Sequence, residues 1–376
     1  MDRRTALRAL GAGAVVGFAG CQTRENDDED PVEEDEDTLV VATVESIVEP
    51  VDDADDDEGE DEPDDASQTP SEWLRTAFED AHDVELEWTV PEDGINHYVE
   101  RARQEAAIEP DVYLGLTVDD LVFVDDELEA GGLFEPIERD RLERDGRVRE
   151  GFAFDDPFDR VLPYGTEYVS LVSDEAAVDP PETFEDLTSP EYEGTLLVPN
   201  ARRSPLGRAF FFWTIAAIGS DDYADYWTAL LENDVEIVPG RREVMEAYLE
   251  GERPMAVSHS AARVAAVVDD RDLSRYQISF LDGQSYANVG GMAVFEDATS
   301  PELAYDFLDF VLSREVQSEL ATLTHRFPAV TDEYVDLEAP FAEYAIEPRE
   351  HVLLTYDELE AVSDWLDVWA QLVAGG

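Results

Sequence analysis

From Thr38 onward, short apolar runs alternate with amphipathic stretches of helical period. "TLVVATVES" opens without polar–apolar alternation, the pattern of a strand covered on both faces. "SEWLRTAFEDAH" (71–82) then puts Trp73, Leu74, Ala77 and Phe78 on one side of a helix. "VELEWTV" (84–90) predicts a strand, "GINHYVERARQEAAI" (94–108) a helix and "DVYLGL" (111–116) a short buried strand. A further helix follows, ended by Gly131–Gly132. Strand–helix–strand order of this kind predicts an α/β fold with a mostly parallel sheet.

A second lobe is predicted downstream. "VLPYGTEYVSLVSDE" (161–175) is long enough to cross between lobes, and "YQISFLDGQSYANVGGMAVF" (276–295) suits a strand pair returning the chain. Between them lie a short helix and strand, the apolar helix "SPLGRAFFFWTIAAIG" (204–219), and two helix–strand units with a stop at Gly251. The 204–219 helix is short and carries Arg208, so it reads as core and not as a membrane span. Helices over 300–323, with Pro301 at the first helical position, and a closing helix over 356–373 complete the order. We expect lobe 1 from 38–163 plus 283–376 and lobe 2 from 164–282, with a hinge and an interlobe cleft. Such clefts hold small ligands and close on them.

Charge excludes several partners. Acidic residues number 93 against 25 basic ones, all Arg, for a formal net charge of −68. Such a chain repels nucleic acid, and it repels itself unless salt screens it. Because the acids are spread along the whole chain, adaptation to high salt, as in haloarchaeal proteins, is expected; a specific acidic binding surface is the alternative. Residues 22–37 are a charged tether. The acidic stretch 49–70 lacks the spacing of a twelve-residue calcium loop and reads as a solvated insertion. Cys21 is the only cysteine, which excludes an internal disulfide and a Cys-rich metal site.

Residues 1–21 read as a targeting segment: Arg3, Arg4 and Arg8 precede a short Gly/Ala-rich apolar run that ends at Cys21. Its glycines suit a buried helix poorly. An enzyme reading finds little support. His82, His97, His259, His325 and His351 stand in no metal-ligand spacing, and neither G-x-S-x-G nor a Gly-rich loop after the first strand is present. A structural surface protein would show repeats or a stalk, and neither is seen.

The order and local sequences of 38–373 resemble the periplasmic substrate-binding proteins of ABC importers, with the two-lobed type II fold. The carrying stretches are "DVYLGL", "LEAGGLFEPI", "PYGTEYVSLVSDE", "SPLGRAFFFWTIAAIG", "VMEAYLEGERPMAVSHSAA", "SYANVGGMAVF" and "RFPAV". More narrowly they resemble the thiamine-binding branch. This resemblance implies capture of thiamine or a thiamine phosphate, delivery to a permease and ATPase complex, no catalysis and no cofactor. It also implies that Cys21, in "GFAGC", follows a lipobox and carries a lipid anchor at the extracellular face of the membrane, behind a twin-arginine-like "DRRTALRAL".

The same resemblance nominates ligand-side positions. Tyr286 matches a stacking tyrosine, where cross-strand packing is the plainer role. Ser204 and Gly207 match a phosphate-side loop, compatible with an ordinary N-cap. Tyr164 would line the cleft, unless it packs in the core. Four positions depart from the family's pattern. Arg241 and Arg326 stand where tryptophans are expected, His259 where a tyrosine is, and Thr117 where an acid is, with Asp119 and Asp120 just beyond. Arg241 and His259 suit an anionic group better than a bare cation. Another small anionic solute, or ferric iron, is therefore the competing ligand; iron sites often use paired tyrosines, and 276–295 holds no adjacent pair.

Overall fold

The structure is a computed structural model that describes residues 38–48, 68–129 and 131–375. The leader 1–21 with Cys21, the tether 22–37 and most of the 49–70 insertion lie outside the described residues.

The chain opens with β1 (Thr38–Thr43), α1 (Glu45–Val48), α2 (Pro70–His82), β2 (Glu85–Thr89), α3 (Ile95–Arg103), β3 (Val112–Leu116) and α4 (Val118–Glu127). β1 lies parallel to β2 and to β3, with Val41 opposite both Trp88 and Val112. β3 is covered on both faces, with Val112, Tyr113 and Leu114 all buried, whereas in β1 Leu39 and Val41 are wholly buried on one face and Val40 between them is only partly so. A capping box starts α2: Glu72 N–H donates to Thr69 Oγ1 at 3.2 Å, and Thr69 N–H donates to the Glu72 carboxylate at 3.0 Å. The helix expected over 94–108 stops early, at Arg103, because Glu105 turns left-handed at φ 52°.

After a run of short turns come β4 (Leu162–Ser173), β5 (Leu196–Pro199), α5 (Pro205–Ile218), α6 (Tyr223–Glu232), β6 (Glu236–Val238), α7 (Arg241–Glu250), β7 (Met255–His259), α8 (Ala262–Val268), β8 (Gln277–Ser279) and β9 (Gln284–Val294). The remaining elements are α9 (Pro301–Val311), α10 (Arg314–Thr324), β10 (Phe327–Pro328), α11 (Phe341–Tyr344), β11 (Glu350–Val352) and α12 (Val362–Gly375). The main strand order is β2-β1-β3-β9-β4-β7-β5-β6. Its wings are parallel and its centre is antiparallel.

β4 joins the two wings. Residues 162–168 pair with β9, and residues 169–173 pair with β7. β9 continues to β3, where Val294 faces Val112. β8 pairs with the end of β4 and not with β9, so the two strands over 276–295 are separate partners and not a hairpin. α5 is buried from Leu206 to Ile215 except at Arg208, and among the described residues no helix is long and apolar enough to cross a membrane. α12 starts at Val362, after a 3-10 turn at Glu358–Ala361, and Trp369 meets Trp227 of α6 edge-on at 5.5 Å between ring centroids.

Candidate ligand-binding site

In both wings the segments that follow the parallel strands carry polar side chains: Ser46 after β1, Thr117 after β3, Ser204 after β5 and Arg241 after β6. Crevices at the carboxyl ends of strands are where α/β sheets hold ligands. His259 closes β7, and Arg326 sits between α10 and β10. The structure brings Ser46, Arg241, His259, His325 and Arg326 around one carboxylate, that of Glu167 on β4.

Arg326 Nη2 lies 3.0 Å from Glu167 Oε2, and His259 Nε2 lies 3.5 Å from Oε1. Burial works to raise the Glu167 carboxyl. The Arg326 guanidinium, with His259, Arg241 and His325 behind it, outweighs burial and holds the group below the usual glutamate value. Burial likewise works against the charge on Arg326, and Glu167 restores it, leaving the guanidinium above its ordinary value. The cavity beside these groups is about 50 Å³. Small-molecule pockets are commonly about 300 Å³ or more, so this space is smaller than such a ligand occupies.

Other expected residues fall elsewhere. Tyr164 is core: it is 3% exposed, packs tightly on Gly290, and its ring lies 5.8 Å from the Arg326 guanidinium carbon. Tyr286 and Thr117 share a second space with Asp119 and Asn288, but its volume is only about 10 Å³. The Tyr286 ring sits 6.0 Å from that of Phe212, and Leu354 lines the same space. Ser204 caps α5, accepting from Gly207 N–H at 3.4 Å. Gly207 is required by close approach: a Cβ there would stand 2.3 Å from the Pro199 carbonyl oxygen at the end of β5.

Beside Tyr286, Arg208 of α5 donates to Asp119 of α4 at 2.8 Å. Thr117 Oγ1 lies 2.7 Å from Asp119 Oδ1 and 2.8 Å from Asp120 Oδ2, so one hydroxyl proton serves two carboxylates. Burial, and then the charge of Asp119, push the Asp120 carboxyl up to about 6. A larger cavity, about 360 Å³, opens between Ala102–Ile108 and Phe295–Asp297, but it gathers none of the expected residues. Among the described residues no group of three or more His, Cys, Asp and Glu side chains is placed to hold a metal.

Glu167 and the Arg208–Asp119 pair were missed in the sequence, where acids are too common to single out. A signal existed for Glu167: it is the one charged residue within the otherwise apolar or neutral run Leu162–Ser173.

The sequence profile of the bacterial extracellular solute-binding protein family matches residues 73–347. The chain belongs to this family. A solute-binding protein of this kind works outside the cell membrane with the permease and ATPase of an ABC importer, holding a small molecule without transforming it. Its relatives include the thiamine-binding periplasmic protein of Escherichia coli, 25% identical over 81% of this chain and 89% of that one. Among solved structures, a periplasmic thiamin binding protein matches with a TM-score of 0.69 at 22% identity, over 89% of this chain and 96% of that one. The apo ferric ion-binding protein A of Pasteurella haemolytica matches with a TM-score of 0.67 at 14% identity, over 90% and 98%. These likenesses establish the periplasmic-binding-protein-like fold: a mixed sheet with parallel wings and flanking helices.

Proposed function

We propose that this solute-binding protein captures thiamine or a thiamine phosphate between its two wings and delivers it to the importer's permease. The observation that carries this reading is the 25% identity to the thiamine-binding periplasmic protein of Escherichia coli over most of both chains. The cavity at Glu167 supports it, lying beside β4 where one wing passes into the other. In this reading 38–163 plus 283–376 move against 164–282, and bending in β4 and β9 opens and closes the cleft. Arg241, His259 and Arg326 receive the anionic end of the ligand. Thr117, Tyr286, Ser204 and Gly207 take the rest once the wings part, with Tyr164 backing Arg326. Cys21 tethers the folded unit to the membrane through lipid, and high salt screens the acidic surface.

The second reading, another small anionic solute, is favoured by one observation: Arg326 and His259 pair with one carboxylate, and Arg241 lines the same cavity. Calorimetric titration of the full chain at high salt with thiamine, its mono- and diphosphate, and ferric iron separates the readings. Heat from a thiamine form is expected; none from any form removes thiamine and leaves the importer role.

A further inference from the structure

Among the described residues, the charge balance of the chain is reversed at the midpoint of β4. Acids outnumber basic residues 93 to 25 in the sequence. Among the described residues the cavity wall nevertheless carries a single carboxylate, Glu167, with Arg241, Arg326, His259 and His325 also lining it. Arg326 and His259 touch that carboxylate, and all four basic side chains act electrostatically on it. Arg326 is anchored from behind by the Tyr164 ring, 5.8 Å from its guanidinium carbon. Convergent basic groups on one carboxylate, in a space at the ends of strands, form the arrangement of a filled anion site. Here the anion belongs to the chain itself.

We propose that Glu167 is the built-in occupant of an anion-binding site, and that a solute's phosphate or diphosphate group takes its place against Arg326, Arg241 and His259. This rests on the capture reading above and names the charge class of the solute and the residue that sets it. The Glu167 carboxylate is a monoanion. A solute carboxylate exchanged for it brings the same charge and gains little. A phosphate group brings more charge and more acceptor oxygens, and a diphosphate more still. Glu167 thus sets a threshold that phosphorylated solutes pass and carboxylates do not.

The test is titration of the full chain, at one fixed ionic strength, with inorganic pyrophosphate, inorganic phosphate and acetate. Wild type is expected to bind pyrophosphate more tightly than phosphate, and phosphate more tightly than acetate. Glu167→Gln keeps the side-chain shape and removes the competing charge, so it is expected to tighten pyrophosphate about tenfold, while Arg326→Gln weakens it by at least as much. Thermal melts without ligand establish that each variant is folded. If Glu167→Gln is not, Glu167→Asp, which withdraws the carboxylate by one methylene, is expected to tighten pyrophosphate a few-fold. Pyrophosphate binding no tighter than acetate in wild type, or weakened by Glu167→Gln, would overturn the inference. Binding of bare thiamine with pyrophosphate silent overturns it while the thiamine reading stands. Pyrophosphate binding with the expected dependence, and no heat from any thiamine form, upholds it and removes thiamine.

Discussion

Arg208 on α5 and Asp119 on α4 form an ion pair of 2.8 Å that ties one wing of the sheet to the other. Burial works against the Arg208 charge, but Asp119 and then Asp120 hold it above the ordinary arginine value. The contact lies beside the narrow space that contains Tyr286 and Thr117. Arg208→Ala is expected to loosen the contact between the wings. Small-angle scattering of the unliganded chain should give a larger radius of gyration for the variant than for wild type. Because the guanidinium is about one-third exposed, the loss of global stability should be small, about 1 kcal/mol. An unchanged radius would show that this pair does not hold the wings together.

Asp120 gives a pH signature. Its folded carboxyl titrates at about 6, against about 3.9 in an unfolded chain. Between those values the folded state binds more protons, so this group's contribution to stability is full below the lower value. It is lost as pH rises through the upper one. Asp120→Asn removes the titration. Its melting temperature, relative to wild type, is expected to rise by roughly 2 °C between pH 4 and pH 7. Comparing the two proteins at each pH cancels the relief of general acidic repulsion. A difference that is constant with pH would contradict the raised value.

Arg160 predicts the largest loss of stability. It is wholly buried, bonds Asp125 at 2.7 Å and Asp156 at 2.9 Å, and Asp125 also receives the Tyr356 hydroxyl at 2.5 Å. Burial works to raise the Asp125 carboxyl, but the bonds from Arg160, Tyr356 and the Gly131 N–H hold it below the usual aspartate value. Arg160→Ala leaves two carboxylates buried without their counter-charge, a loss of about 3–5 kcal/mol in denaturant unfolding at fixed salt. Tyr356→Phe, which removes one bond, should lose about 1–2 kcal/mol. Equal effects for the two substitutions would mean that the network is not organised around Arg160.

These residues also show what was legible in the sequence. The apolar run at Val112–Leu114 and the length of Leu162–Ser173 mark a strand buried on both faces and a strand that joins the two wings, because double burial and chain reach leave direct marks in residue order, whereas the same reading of β1 fails at Val40, which is only partly buried. The bringing together of Arg241, His259 and Arg326 was foreseen only as three departures from a resemblance. Glu167, which pairs with Arg326 and His259, comes from a different strand, and no local pattern links the four. A closing helix is legible in the sequence over 356–373, whereas the docking of Trp369 on Trp227 and Phe211 depends on long-range packing. The early end of α3 at Arg103 turns on one left-handed residue, Glu105, a conformation that residue type does not announce.

The central claim is that a solute is held at Glu167, between the wings. A crystal structure of the full chain grown with saturating thiamine diphosphate tests it most directly. The predicted result is ligand density in the cavity beside Glu167 of β4 and His259 at the end of β7, with the diphosphate against Arg326 and Arg241 and the Glu167 carboxylate displaced. Density only in the cavity between Ala102 and Phe295, with Glu167 still paired to Arg326 and His259, would contradict it.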